Sequence, residues 1–172
     1  MQDTIARYLA AIPDSQMRRF VQIVINALAD RYNSCMLGSA GIVIKGAGNI
    51  DAKTGATATA AIAGGTMLSI AAATNLVTFV GTTSQNKFNV YLWYIDAAGT
   101  ITSAMGTEGA ALANVVWPSP PQGKALIGGF TVNPTTAPFV GGTTLLDAAN
   151  TNVVYFSPQG AFDPTVILGA AT

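Results

Sequence analysis

From Met17 to Cys35 the large apolar side chains recur every three or four residues: Met17, Phe20, Val21, Val24, Ile25, Leu28, Tyr32 and Cys35. At about 100° per residue they fall on one face of an α-helix, with Arg18, Arg19, Gln22, Asn26, Asp30 and Asn33 opposite. Asp14 or Ser15 supplies the N-cap, since either side-chain oxygen can accept from a backbone N–H that lacks a helical partner. A shorter helical segment, Gln2 to Ala11, precedes this helix. It spaces Ile5, Leu9 and Ile12 by four and three, and Pro13 ends it.

Near residue 38 the period changes. Gly, Thr, Asn and Pro now punctuate short runs of β-branched and aromatic residues, which predicts strands. These runs are Ile42 to Lys45, Thr57 to Ile62, Thr66 to Ile70, Leu76 to Val80, Lys87 to Ile95, Thr100 to Ala104, Ala125 to Val132 and Val153 to Phe156. Lys87 to Ile95 is the strongest. It places Phe88, Val90, Leu92 and Tyr94 on one face and Asn89, Tyr91, Trp93 and Ile95 on the other, the mark of a central strand covered on both sides. Asp96 to Gly99 is a hairpin turn. Met105 to Gly123 is a connector, because Pro118, Pro120 and Pro121 cannot donate to a ladder. Leu145 to Ala149 is a turn or a short helical piece, and a Gly- and Pro-punctuated tail runs to Thr172. The expected fold is α+β, mainly β: an N-terminal helical segment over 1–37, then an antiparallel β-sandwich or barrel-like domain over 38–172.

The apolar helix face has to be covered. Each large side chain left in water forfeits roughly 1.5–3 kcal/mol, and this face carries several. The first expectation is that it packs on the chain's own sheet. The second is that it meets the same helix of sister chains or docks on a partner, with Met17, Phe20, Val21, Val24, Leu28, Arg31 and Tyr32 as the candidate interaction face. Arg31 sits on the flank of that face, where an intersubunit ion pair or a snorkelled side chain would suit it.

Composition sharpens the choice. Charged residues make up 9% of the chain, against roughly 25% in an ordinary soluble domain. Half the residues are hydrophobic, mean hydropathy is +0.42 and net charge is zero. So few charges suit a surface covered by other chains better than one that must stay dispersed alone. The eight basic residues, spread from Arg7 to Lys124, form no stripe for nucleic acid or anionic lipid, so neither is an expected partner. Arg18-Arg19 followed by Phe20 to Ala29 has the outline of a signal peptide, but Gln22 and Asn26 interrupt the run at helical spacing. The uncharged stretch from Thr54 to Asn86 reads as strands and turns, not as a membrane span.

Candidate chemistry is sparse. With no histidine, Ser-His-Asp, Cys-His and His-ligated metal sites are excluded. Cys35 is the only cysteine and reads as a small core hydrophobe. Asp96 and Glu108 flank the predicted hairpin and are the nearest approach to a glycosidase carboxylate pair. Asp96, however, stands where a turn favours Asp, and Asp51 and Asp147 have similar loop settings. Gly46-Ala47-Gly48 and Gly141-Gly142-Thr143-Thr144 lack the Lys-Ser/Thr of a phosphate-binding loop and read as tight turns. The expectation is a non-enzymatic protein with no cofactor and no metal.

In the C-terminal half, Pro118-Ser119-Pro120-Pro121-Gln122-Gly123-Lys124-Ala125-Leu126-Ile127-Gly128-Gly129-Phe130 leads to Phe139-Val140-Gly141-Gly142-Thr143-Thr144-Leu145-Leu146-Asp147-Ala148-Ala149 and then Val153-Val154-Tyr155-Phe156. This pattern resembles β-domains of tailed-bacteriophage virion proteins, in particular capsid decoration (cement) and head-fibre proteins. The resemblance implies a homotrimer on the capsid surface, made in the host cytoplasm, with the major capsid protein or other virion proteins as partners. A tail, fibre or baseplate component with a structural or receptor-binding role is the alternative. A glycan-active enzyme using Asp96 and Glu108 is the reading from a different class.

Overall fold

A computed structural model of the protein describes residues 10–11 and 14–160. The segment expected to be helical over Gln2 to Ala11 therefore lies outside the described residues except at Ala10 and Ala11, and so does the tail from residue 161.

Helix α1 spans Ser15–Tyr32. Asp14 caps it, its Oδ1 accepting from the Met17 N–H at 2.8 Å while its carbonyl accepts from the Arg18 N–H at 3.0 Å. Strands follow: β1 (Cys35–Met36), β2 (Val43–Ile44), β3 (Ala52–Lys53), β4 (Thr59–Ala63), β5 (Thr66–Ile70), β6 (Thr82–Thr83), β7 (Asn89–Ile95), β8 (Ile101–Met105), β9 (Ala125–Val132), β10 (Phe139–Val140) and β11 (Val154–Phe156). They form a four-stranded sheet in the order β11-β9-β7-β8 and a three-stranded sheet β1-β4-β5, with the small pairs β10-β6 and β2-β3. Every ladder is antiparallel. The chain is thus α+β and mainly β, as its pattern predicts.

β7 is the axis of the molecule. All seven of its residues are buried, because its alternating apolar faces are both covered. Tyr91, Trp93 and Ile95 enter the larger core, which β1, β4 and β5 close with Met36, Ala61, Ala63 and Ile70. Val90, Leu92 and Tyr94 enter a smaller core with Val115, and Trp117 and Phe156 pack against it. A bulge interrupts the β7–β9 ladder between Trp93 and Tyr94. Opposite it, Gly128 has φ 149°, and a Cβ there would meet the Phe156 carbonyl oxygen and Ile42 Cδ1 at 2.5 and 2.6 Å, so only glycine suits the position.

Three expectations need correction. Leu76 to Val80 joins no ladder. It crosses the larger core as an extended segment, with Phe79 buried and the Val77 carbonyl accepting from Trp93 Nε1 at 2.8 Å. Cys35 is not at a helix end but in β1, opposite Ile62, so strand structure begins before Gly38. Helix α1 does not lay its apolar face on the sheet: Met17, Phe20, Ile23, Val24, Leu28 and Tyr32 are all exposed.

Candidate interaction surface

Helix α1 is held at one end. Its last turn and the following residues make three links to the β-region: Asp30 Oδ1 accepts from the Gly123 N–H at 3.1 Å, the Asn33 carbonyl from the Gly65 N–H at 2.9 Å, and Ser34 Oγ from the Gly64 N–H at 3.2 Å. Gly64 and Gly65 form the β4–β5 turn, both at positive φ, which lets the chain reverse tightly enough to present two N–H groups to this joint. The C-terminal end of α1 is fixed to the body, and the helix carries its apolar arc away from the joint.

Of the expected interaction face, Phe20 is 62% exposed, Leu28 52% and Tyr32 71%, while Met17 and Val24 are also exposed and Val21 is half-buried. Met17, Phe20, Val24, Leu28 and Tyr32 are thus open on the helix, and Val21 only in part. The side chain of Arg31 lies outside the described residues. Ile23 is a further exposed apolar residue on the helix that the pattern did not assign to this face. On the polar side, Gln22 Nε2 donates to Asn26 Oδ1 at 2.8 Å, one helical turn away.

The carboxylates serve the backbone around them. Asp96 Oδ1 accepts from the Ala98 and Thr100 N–H groups at 3.0 and 2.9 Å, which closes the β7–β8 turn. Glu108 Oε2 accepts from the Ser84 N–H at 2.7 Å. Asp96 follows the last residue of β7, whereas Glu108 adjoins Gly109, which bridges Phe88 before the first. A strand of that length, at about 3.3 Å per residue, holds the two carboxyls roughly 20 Å apart, well beyond the separation of about 5–9.5 Å that glycoside hydrolysis needs. Asp51 Oδ1 accepts from Thr78 Oγ1 at 2.7 Å, and Asp147 Oδ2 from the Gly48 N–H at 2.7 Å. The Gly46–Gly48 turn thus already points an N–H at a carboxylate. Among the described residues no three acidic or cysteine side chains come together to hold a metal ion, and no helix is long and apolar enough to cross a membrane.

Where α1 meets the body, Asp30, Cys35, Tyr94, Pro121, Lys124 and Gly160 border a cavity of about 40 Å³. That is space on the scale of a single water, not of an organic substrate. The Tyr94 hydroxyl is buried, and burial pushes its pKa up to about 12. Tyr155 is likewise pushed up to about 12, by burial first and then by the Asp147 charge. Both phenols stay neutral at physiological pH and act as packing groups. Cys35 is half-buried, its Sγ 3.8 Å from the Tyr32 carbonyl oxygen.

No known protein family, characterised protein or solved structure matches this chain.

Proposed function

We propose that this protein is a structural, non-enzymatic virion subunit, a capsid decoration or cement protein that assembles with copies of itself as a homotrimer and clamps the major capsid protein. One observation carries the reading: α1, anchored to the body through its C-terminal end, leaves a row of large apolar side chains exposed that the chain's own sheet does not cover. Burying such side chains contributes up to roughly 1.5–3 kcal/mol each, in proportion to the surface each still exposes, toward offsetting the entropy of bringing chains together. The sparse charge of the whole chain supports the same reading, because a surface that is covered after assembly does not need charge to stay dispersed. On a lattice, weak contacts of each subunit with the shell add through avidity.

Native mass spectrometry of the purified chain, followed by mixing it with expanded capsids that lack a decoration protein, tests the proposal. The expected result is a trimer that binds the capsids at a fixed lattice position. A monomer at high concentration refutes the self-association, and a trimer that ignores capsids but binds tails moves the subunit to the tail.

A further inference from the structure

The outer side of β8 offers a second contact. β8 is the last strand of the four-stranded sheet, and among the described residues no strand pairs with the far side of residues 101–105; two residues beyond Met105, Thr107 bridges Val116 on that side, which ends the free edge there. The Asp96 N–H donates to the Thr100 carbonyl and the Gly106 N–H to the Val90 carbonyl, so Thr102 and Thr100, Ala104 and Gly106 point their backbone groups at β7. By the same alternation, Ile101, Ser103 and Met105 aim theirs outward. Natural edge strands are usually guarded by charged side chains, proline or a bulge. Ile101-Thr102-Ser103-Ala104-Met105 has no charge and no proline, and its ladder with β7 runs without a register shift. Lys124 does reach the strand, donating to Thr102 Oγ1 at 3.1 Å, but Thr102 lies off the outward row.

The edge also fits a copy of itself. A two-fold axis through Ser103 sets β8 antiparallel to its twin, with Ser103 opposite Ser103, and Ile101 opposite Met105 of the other copy. Ile101 lines a groove of about 280 Å³ together with Leu68, Ile70 and Ile95, on the face of the sheet that also carries Ser103 and Met105. Across the two-fold, the exposed Met105 of one copy stands beside this groove in the other. Methionine, unbranched and flexible, is suited to fill such a recess. Val80, 76% exposed, lies next to Gly81, over which Met105 sits, and extends the apolar rim at that end.

We infer that β8 is an assembly edge, pairing antiparallel with β8 of a second copy about Ser103, so that two four-stranded sheets become one of eight and Met105 of each copy enters the groove at Ile101 of the other. This contact is separate from the α1 surface and does not depend on it.

The test is a register-specific crosslink in the full chain. Outward-facing partners in an antiparallel ladder have Cα atoms about 5.5 Å apart, within disulfide reach. In a Cys35→Ser background, Ser103→Cys is expected to give a disulfide-linked dimer under mild oxidation. Thr102→Cys, which faces Ala104 of the twin, is expected to give little. Equal crosslinking at both positions, or none at 103, overturns the inference. Adding Phe20→Asp and Leu28→Asp removes the α1 contact and should leave the Ser103→Cys dimer intact; loss of the dimer there overturns the independence of the edge. Hydrogen exchange on the unmutated chain gives a reading that requires no variant to fold. Protection of the Ile101, Ser103 and Met105 amides should rise with protein concentration, and protection that stays flat rejects the pairing.

Discussion

The Phe79 ring meets the Phe130 ring nearly edge-on, with centroids 4.8 Å apart and planes at 63°, although Phe79 belongs to no strand. It also contacts Tyr91, Trp93 and Phe139 at centroid distances of 5.1, 5.8 and 5.8 Å. One side chain from a connecting segment therefore joins β7, β9 and β10 in a single aromatic cluster. Phe79→Ala removes the centre of that cluster and leaves a cavity that four rigid rings cannot collapse into. The expected loss is about 3–5 kcal/mol, read as a lower urea midpoint with an unchanged slope.

Glycines near the sheet divide into two kinds. At Gly129 a Cβ would run into the Tyr91 carbonyl oxygen, and it would lie 2.8 Å from Leu92 Cδ2. The carbonyl belongs to the β7–β9 ladder and cannot move aside. Gly129→Ala should therefore cost about 1–3 kcal/mol or more and lower the thermal midpoint. At Gly46 nothing lies within 4 Å, and its φ is not in the left-handed region, so Gly46→Ala should leave the midpoint within error.

Asp14 caps the N-terminal end of α1. Its carboxylate accepts from the Met17 N–H at 2.8 Å. Asp14→Ala should cost the helix about 1 kcal/mol. Faster amide exchange at Met17 with unchanged exchange at Tyr91 would show the loss to be local.

Much of this architecture is legible from alternation. Lys87 to Ile95 and Ala125 to Val132 announce themselves because both faces of a central strand must be apolar, and they became β7 and β9. The two-residue strands β1, β3, β6 and β10 are too short to show any period. Leu76 to Val80 looks like a strand because β-branched and aromatic residues suit extended backbone, yet it meets β3 only at its start, where the Leu76 N–H donates to the Ala52 carbonyl at 3.0 Å, and it joins no ladder among the described residues. Its place is set by what Phe79 and the Val77 carbonyl meet across the core, which lies far off in sequence. The residues of the α1 face were legible, but whether the chain's own sheet covers them was not. That depends on where the Asp30, Asn33 and Ser34 links anchor the helix, and each of them goes to a glycine N–H with no side-chain signature.

Alkaline pH should loosen the fold through its tyrosines. Tyr94 and Tyr155 have folded pKa values raised to about 12 from an ordinary 10, because burial disfavours the phenolate. Below pH 10 both phenols are protonated in the folded and unfolded chain, and their packing contributes in full. Between about 10 and 12 the unfolded chain releases protons that the folded chain keeps, so stability falls as pH rises through that window. Urea midpoints measured across it should fall steadily. Tyr94→Phe should flatten part of the decline, since it removes one titrating group whose hydroxyl has no partner among the described residues.

Assembly through α1 and folding of the β-region should come apart under mutation. Phe20 and Leu28 are more than half exposed within one chain, so replacing each with Asp removes little packing from the monomer, and surface changes of this kind usually stay within about 0.5 kcal/mol. In a helix-to-helix interface the same changes put carboxylates where apolar side chains meet, and a buried unpaired charge costs several kcal/mol. Sedimentation velocity of Phe20→Asp/Leu28→Asp should show a smaller species than the parent, no larger than the dimer paired through β8, with urea unfolding of the β-region unaltered. If instead the double variant unfolds at a much lower urea concentration while remaining oligomeric, α1 is packed inside its own subunit and the surface that joins copies lies elsewhere.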